Sequence, residues 1–253
     1  MAKMQKTLLC HFRNEEYLLP WWLDHHKKIF DRAIMFDYHS TDRSREIIKA
    51  HWPEAEIYTS RNMELIPTDV DREIIDAERF IDGWKLCLNV TEHLVGDYSI
   101  LDLDETQYDA QTQINIPVMM FIDRDRENDN LDQTIPLYEQ KKDGFTWRDF
   151  DARMCRALHN HRLEYGCGRH YNPPTTDQLA IFYYGWSPLN KVAMDRKLSQ
   201  GDLMPDWVVQ GRHHTYPREV REQEYENWLK YTRDISEDIR PFVEAHQAYM
   251  NKT

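Results

Sequence analysis

One order of residues, given twice in the first fifty and resumed after them, limits what this chain can fold into. A short apolar run, "KTLLCHF", is followed by "EEYLLPWWLDHHKKIF", where Leu19, Trp22, Leu23, His26 and Phe30 recur at helical spacing. The order returns in "DRAIMFDYHSTDRSREIIKAHW", with a strand over 33–36, a polar break "DYHSTD", and a helix opening near Ser40 or Thr41 that carries Ile47 and Ile48 inside. "AEIYTS" reads as a third short strand. Over 69–94, Val70, Ile74, Ala77, Ile81, Trp84 and Leu88 stand three or four apart, which predicts a long helix or two helices broken at Gly83. "YSILDLD" then reads as strand again. Strands that alternate with helices imply right-handed crossovers and a mostly parallel central sheet flanked by helices, an α/β fold of Rossmann-like kind, through about residue 105.

Beyond that point the pattern loosens. "INIPVMMFID" predicts a strand kinked at Pro117, "DFDARMCRALHNHRLEY" a helix, and "LAIFYYGW" and "KVAMDR" strands. The last segment, "REVREQEYENWLKYTRDISEDIRPFVEAHQAYM", mixes both charge signs around Trp228, Leu229, Ile235 and Ile239, the pattern of amphipathic helices packed on their own domain. The expected organisation is one domain over 1–216, in two halves (1–109 and 110–216), with a helical tail over 217–253.

The 253 residues carry a formal net charge of -12, which argues against a general nucleic-acid binder, since such proteins show a basic face to phosphate. No window holds the roughly 18 apolar residues of a membrane span, and the first residues have too short an apolar stretch for a signal peptide, so a cytoplasmic protein without an integral membrane segment is expected. Cys10, Cys87, Cys155 and Cys167 are scattered without a CxxC, the pattern of reduced thiols.

In open α/β sheets, ligands bind where the loops at the strands' carboxyl ends converge. Three predicted strands end in polar clusters: "HFRNEE", "DYHSTD" and "DLDE". In the last of these, Asp102 and Asp104 stand two apart, so on a strand both carboxylates point one way while Leu103 turns to the core. Like charges so close resist joint ionisation unless a cation neutralises them, and Mg²⁺ or Mn²⁺ often bridges carboxylates to a substrate's phosphates. The other reading of such a pair is a solvated loop or helix cap, in a chain with 44 acidic residues. Asp37, at the end of an apolar strand, suits a nucleobase N–H or a ribose hydroxyl, whereas Ser40 to Asp42 suit a helix cap.

Taken together, "CHFRNEEYLLPWWLDHH", "RAIMFDYHSTDRSREII" and "YSILDLDETQYD" resemble the N-terminal pattern of family-2-like glycosyltransferases of GT-A fold, in the subgroup with NEE..LP.WL.HH, D..STD and D.DE motifs. The resemblance covers about residues 6–109. It implies hexosyltransferase-type transfer from a nucleotide sugar (UDP-, GDP- or dTDP-linked) to a hydroxyl of a glycan, a lipid-linked or a small-molecule acceptor, with Mn²⁺ or Mg²⁺ as cofactor. By that resemblance Phe12, Arg13, Asn14, Glu15 and Asp37 hold the nucleoside, Asp102 and Asp104 flank the metal and diphosphate, and a late histidine, His213 in preference to His214, approaches the metal. Tyr38-His39 departs from the commoner DDGS form, which leaves the nucleotide open. Arg13, Lys85, Lys191 and Arg212 are the candidate phosphate partners. An inverting reaction needs a base, for which Asp177 in "PPTTDQ" is the first candidate and Glu164 and Asp149 its rivals. Two other classes remain: a nucleotidyltransferase, which usually has a glycine-rich loop that "HFRNEEYLL" lacks, and a binding protein without catalysis.

Overall fold

A computed structural model describes residues 4–102, 112–124, 131–149, 154–165, 167–170 and 173–252. The first half follows the expected order: β1 (Lys6–Phe12), α1 (Leu19–His26), β2 (Arg32–Asp37), α2 (Ser44–His51), β3 (Glu56–Thr59) and α3 (Pro67–Glu78). β1 lies between β2 and β4 (Trp84–Cys87), parallel to both, and β3 extends the parallel set beyond β2. A strand hydrogen-bonded on both edges and covered on both faces has no side to leave polar, which is why "TLLC" is an unbroken buried run.

The later strands pair mostly antiparallel. The chain runs through β5 (Glu92–Gly96), β6 (Gln113–Ile122), α4 (Leu137–Gln140), β7 (Asp143–Phe145), β8 (Cys155–His159), β9 (Leu179–Trp186), α5 (Lys191–Ser199), α6 (Arg218–Leu229), β10 (Arg233–Asp234) and α7 (Ser236–Met250). β8 joins β4 to β6, β6 carries β7 and then β10, and β9 bridges β5 to β6. The larger apolar cluster runs from Met4 to Tyr249 and takes in Tyr225, Ile235, Ile239 and Phe242 from the last segment, and a smaller one packs Leu9, Ile34, Phe36 and Cys87 against Ile74 and Ile81. Among the described residues, no helix is long and apolar enough to cross a membrane.

Four segments differ from the sequence expectation, each for a physical reason. The helix expected over 69–94 stops at Glu78, and 84–87 and 92–96 are strands. Every residue of "WKLC" is buried, so its apolar spacing carries no strand alternation. Gly83 makes the break at φ 82°, where an added Cβ would lie 2.3 Å from the Gln5 carbonyl oxygen. Within the expected strand "YSILDLD", the described residues are not strand: β5 ends at Gly96, and Tyr98–Asp102 form a 3₁₀ turn begun by Asp97, whose carboxylate accepts the Ser99 N–H at 2.9 Å. "CRALH" is strand β8 rather than helix, and "KVAMDR" lies in helix α5, where the Asn190 side chain caps the Ala193 N–H at 2.8 Å.

A cluster of four histidines ties α1, β5 and α7 together. His25 stacks on His246 with ring centroids 4.8 Å apart and lies 5.2 Å from His93, while His26 lies 5.5 Å from His93. The Leu94 N–H donates to His26 Nε2 at 3.2 Å and the His26 Nδ1–H donates to the Trp22 carbonyl at 2.9 Å, so this ring is used in its neutral form. Burial first, and then neighbouring imidazoles, hold His25, His26 and His93 well below the usual histidine value; burial followed by Lys28 brings His246 to about 4. In the unfolded chain the same groups take protons near pH ~6.5. The unfolded state therefore binds more protons below that value, and stability should be full above about pH 6.5 and fall as the pH drops toward 4. Melting temperature followed against pH should show this slope, and His93→Phe, which removes one titrating group, should make it shallower.

Candidate functional site

The parallel register brings three strand ends to one place. Phe12 pairs with Asp37, and Leu9 with Cys87, so the residues after Cys87 run beside the end of β1. The first two loops are latched by reciprocal hydrogen bonds. The Asn14 N–H donates to Ser40 Oγ at 3.1 Å, the Glu15 N–H to Ser44 Oγ at 2.9 Å and the Glu16 N–H to Asp42 at 3.0 Å, while Asn14 Oδ1 accepts the Thr41 N–H at 2.8 Å. Asn14 and His39 hold positive φ angles of 51° and 55° within the latch, a conformation that short polar side chains tolerate. The "NEE" and "STD" segments are thus one interlocked corner.

α1 positions the third strand end. The Trp22 indole donates to the carbonyls of Asn89 and Glu92 at 3.1 and 3.0 Å, and the Asn89 N–H donates to the Glu92 carboxylate at 2.8 Å. These bonds fix "NVTE" (89–92), the corner between β4 and β5.

The loops open on a cavity of about 700 Å³, within the usual size for a small-molecule site. Phe12, Arg13 and Glu15 reach it from β1, Asn89, Thr91 and Glu92 from the β4–β5 corner, and Arg196 and Lys197 from α5. Its lining holds six Arg and Lys side chains against four carboxylates, in a chain of net charge -12. All four carboxylates are engaged. Glu92, fully buried, meets the Arg156 guanidinium at 2.5 Å; Asp71 meets Arg169 at 2.9 Å; Glu15 meets Arg196 at 2.6 Å; and Glu224 meets Arg221 at 2.9 Å. Arg169 also donates to the Asn89 amide oxygen at 3.0 Å.

Arg13 and Lys197 are left over. Nε and Nη1 of Arg13 are buried with no hydrogen-bond partner. The Lys197 ammonium, on a side chain with 7 % exposure, lies 4.0 Å from the Trp186 ring centroid. Burial, then the charges of Arg196 and Arg221, pull its pKa well below the usual lysine value. His213 and His214 also line the cavity, with rings 4.1 Å apart. Burial, and then His213, lower His214 to about 3, so both its ring nitrogens are in neutral form at pH 7.

The structure gathers Phe12, Arg13, Glu15 and His213 of the residues expected from the sequence, and places the others elsewhere. Asn14 serves the latch. Asp37 is buried against Arg45 at 2.7 Å and accepts the Ser40 N–H at 2.8 Å. Lys85 donates to the carbonyls of Ile81 and Gly83, near the amino end of β4, and Lys191 is exposed and paired with Asp195. Asp102 stands 3.6 Å from Lys6, the first residue of β1, and takes a hydrogen bond from Tyr249 at 3.1 Å, at the end of the sheet away from the cavity. Asp104 and Glu105 lie outside the described residues, as does the Arg212 side chain. Asp177 is exposed ahead of β9, Glu164 pairs with Arg72 and Arg162, and Asp149 caps Thr146 and meets Arg233. Asn89, Thr91, Glu92, Arg156, Arg169 and Lys197 were missed. "LCLNVTE" did carry a signal, an apolar run ending in polar residues, but it was absorbed into the helix expected over 69–94.

A metal ion of the kind expected with Asp102 and Asp104 does not fit this donor set. At the β4 corner stand an amide and a hydroxyl, Asn89 and Thr91, and the carboxylates around them already face guanidinium groups. Among the described residues, no group of three or more His, Cys, Asp or Glu side chains is arranged to hold a metal.

No family model matches the chain, and no curated protein does. Solved structures similar to part of it include three of S. aureus TarS. The crystal structure of TarS 1-349 aligns at 13% identity and a TM-score of 0.33 over 47% of this chain and 36% of that one. TarS itself aligns at 10% identity and 0.33 over 47% and 22%, and TarS 1-349 in complex with UDP-GlcNAc at 13% identity and 0.31 over 47% and 35%. The chain thus spans little more than a third of those chains at most.

The buried pair beneath the cavity gives a direct test of this site's construction. Arg156→Met would leave Glu92 charged and unpaired in the interior, which should cost about 3–5 kcal/mol and lower the melting temperature by roughly 6–20 °C. Adding Glu92→Leu to the same chain should recover most of that loss in a thermal melt, because no charge is then stranded.

Proposed function

We propose that this chain is a glycosyltransferase of GT-A type that takes a nucleotide-sugar donor in the cavity at the carboxyl ends of β1, β2 and β4. The observation that carries the reading is the surplus of positive charge there, with Arg13 and Lys197 unpaired among the described residues, in an acidic chain. An anionic ligand suits such a cavity, and a position beyond the carboxyl ends of parallel strands suits a nucleotide. The family resemblance of residues 6–109 supplies the reaction class. In that reaction the acceptor oxygen bonds to the sugar's anomeric carbon, the bond to the diphosphate oxygen breaks with its electron pair leaving on the nucleoside diphosphate, and the acceptor's proton passes to a base.

Glu224 is the proposed base. Glu92, Asp71 and Glu15 are each closely buried against an arginine, whereas the Glu224 side chain lines the cavity with 29% exposure and a single arginine one turn away. No second function is favoured by a specific observation, since the β1 loop has no glycine to wrap a triphosphate.

A thermal-shift panel of UDP-, GDP-, dTDP- and CMP-sugars tests the reading. The correct donor at about a hundredfold over its Kd should add roughly 2.7 kcal/mol and raise the melting temperature by about 5–10 °C. No shift with any of them at millimolar concentration sinks the proposal. Once a donor is found, Glu224→Gln should lower kcat by about 10²–10⁴-fold with donor affinity retained; unchanged turnover removes Glu224 from the role, and a shift without turnover marks a binding protein.

A further inference from the structure

The cations of the cavity carry the reading one step further, resting on the nucleotide-sugar assignment for the identity of the ligand. A transfer that uses a divalent ion needs oxygen ligands free to take it. Here the oxygens are spoken for. The Asn89 amide oxygen accepts from Arg169 at 3.0 Å, Asp71 is held by the same guanidinium at 2.9 Å, and Glu92 is held by Arg156 at 2.5 Å. An ion inserted at this corner would lie against two guanidinium groups, and the carboxylates that stand there among the described residues, Asp71 and Glu92, already face those groups.

We propose that the diphosphate binds directly to Arg13 and Lys197, with no divalent cation between ligand and protein. The two side chains come from different elements, the loop after β1 and helix α5, and line the same cavity. Among the described residues neither makes a hydrogen bond or ion pair: Nε and Nη1 of the half-buried Arg13 are buried without a partner, and the buried Lys197 meets the face of Trp186, with Glu224 and Glu15 within electrostatic reach only. Leaving a buried charge unpaired is costly, and a phosphate oxygen is the group that both side chains recognise, Arg13 through a forked pair of donors and Lys197 as a point charge. As the anomeric bond breaks and its electron pair moves onto the diphosphate, the added charge develops beside these two fixed cations, which is where stabilisation acts on the rate.

The test is calorimetric titration of the whole chain with UDP, GDP and inorganic pyrophosphate, in EDTA and again in Mn²⁺. A nucleoside diphosphate should bind in EDTA with a Kd within about threefold of that in Mn²⁺. Arg13→Gln and Lys197→Met should each weaken binding in EDTA by about tenfold or more. Neither variant should melt below the parent without ligand, since each removes a cation that makes no hydrogen bond or ion pair among the described residues; this separates lost binding from lost folding. Asp102→Asn should leave affinity unchanged. Tenfold or greater tightening by Mn²⁺, or wild-type affinity in both cation variants, overturns the proposal. Pyrophosphate binding in EDTA with no nucleoside diphosphate bound would overturn the nucleotide reading and leave the direct anion site standing. Binding of nothing in either condition overturns both.

Discussion

The hydrogen-bond register of β1 is the constraint from which the rest of the molecule follows. Because β1 pairs in parallel with β2 on one edge and β4 on the other, the chain must leave all three strands at the same end of the sheet. The apolar content of "TLLC" is what sets that arrangement, since only a strand covered on both faces can be buried along its whole length. The loops that leave it are then held by side chains that looked, in the sequence, like ligands or helix caps. Asn14, Ser40, Asp42 and Ser44 latch two of the loops together, and Trp22 grips the third at the carbonyls of Asn89 and Glu92. The "LPWWLDHH" helix therefore acts at the site from below. It fixes the corner from which Asn89 and Thr91 face the cavity, and through His25 and His26 it fixes the strand that follows, at the backbone of Leu94.

Charge at the cavity runs against the balance of the chain as a whole. Arginine–carboxylate pairs at this depth add little net stability over an apolar packing, because desolvation offsets much of their attraction. Their effect here is geometric. Arg156 spans from Glu92 on β5 to the carbonyls of Gly168 and Arg169, and Arg169 spans from Asp71 on α3 to Asn89, so the segment 167–170 is tied to the parallel sheet by two guanidinium groups. With those pairs closed, the site's excess charge is concentrated on Arg13 and Lys197. Among the described residues these two alone of the cavity's six cations lack an ion pair or hydrogen bond.

The architecture was legible where the hydrophobic pattern had one explanation. β1, α1, β2, α2 and β3 each combined a clear period with a polar break, and each formed as the sequence implied. The pattern failed between Val70 and Leu94, where Ile81, Trp84 and Leu88 kept a helical spacing by chance within a fully buried strand and its flanks. With β4 hidden inside an expected helix, the next polar cluster after an apolar run was "DLDE", and the rule that ligands gather at strand ends was applied to a segment that is no strand. Of the cavity residues, Arg13 and Glu15 were readable because they follow β1 directly. Arg156, Arg169 and Lys197 were not, because long-range pairing across the sheet, rather than any local motif, brings them in.

Asp102 shows how position in the fold decides what an acidic residue meets. In a chain with 44 acidic residues, two aspartates separated by one leucine are a common event, and only position relative to the strand ends gives such a pair meaning. Asp102 meets Lys6 and Tyr249, one at the start of β1 and the other near the end of α7, and so contributes to closing the last helix over the amino end of the sheet. The corresponding position at the carboxyl end belongs to "NVTE", which has the neutral polar groups Asn89 and Thr91 two apart and a glutamate already neutralised by Arg156. A site assembled from these groups has its positive charge built into the protein, on side chains that remain in place when a ligand leaves. The fold itself brings positive side chains to this end of the sheet, Arg13 on the loop after β1 and Lys197 on α5.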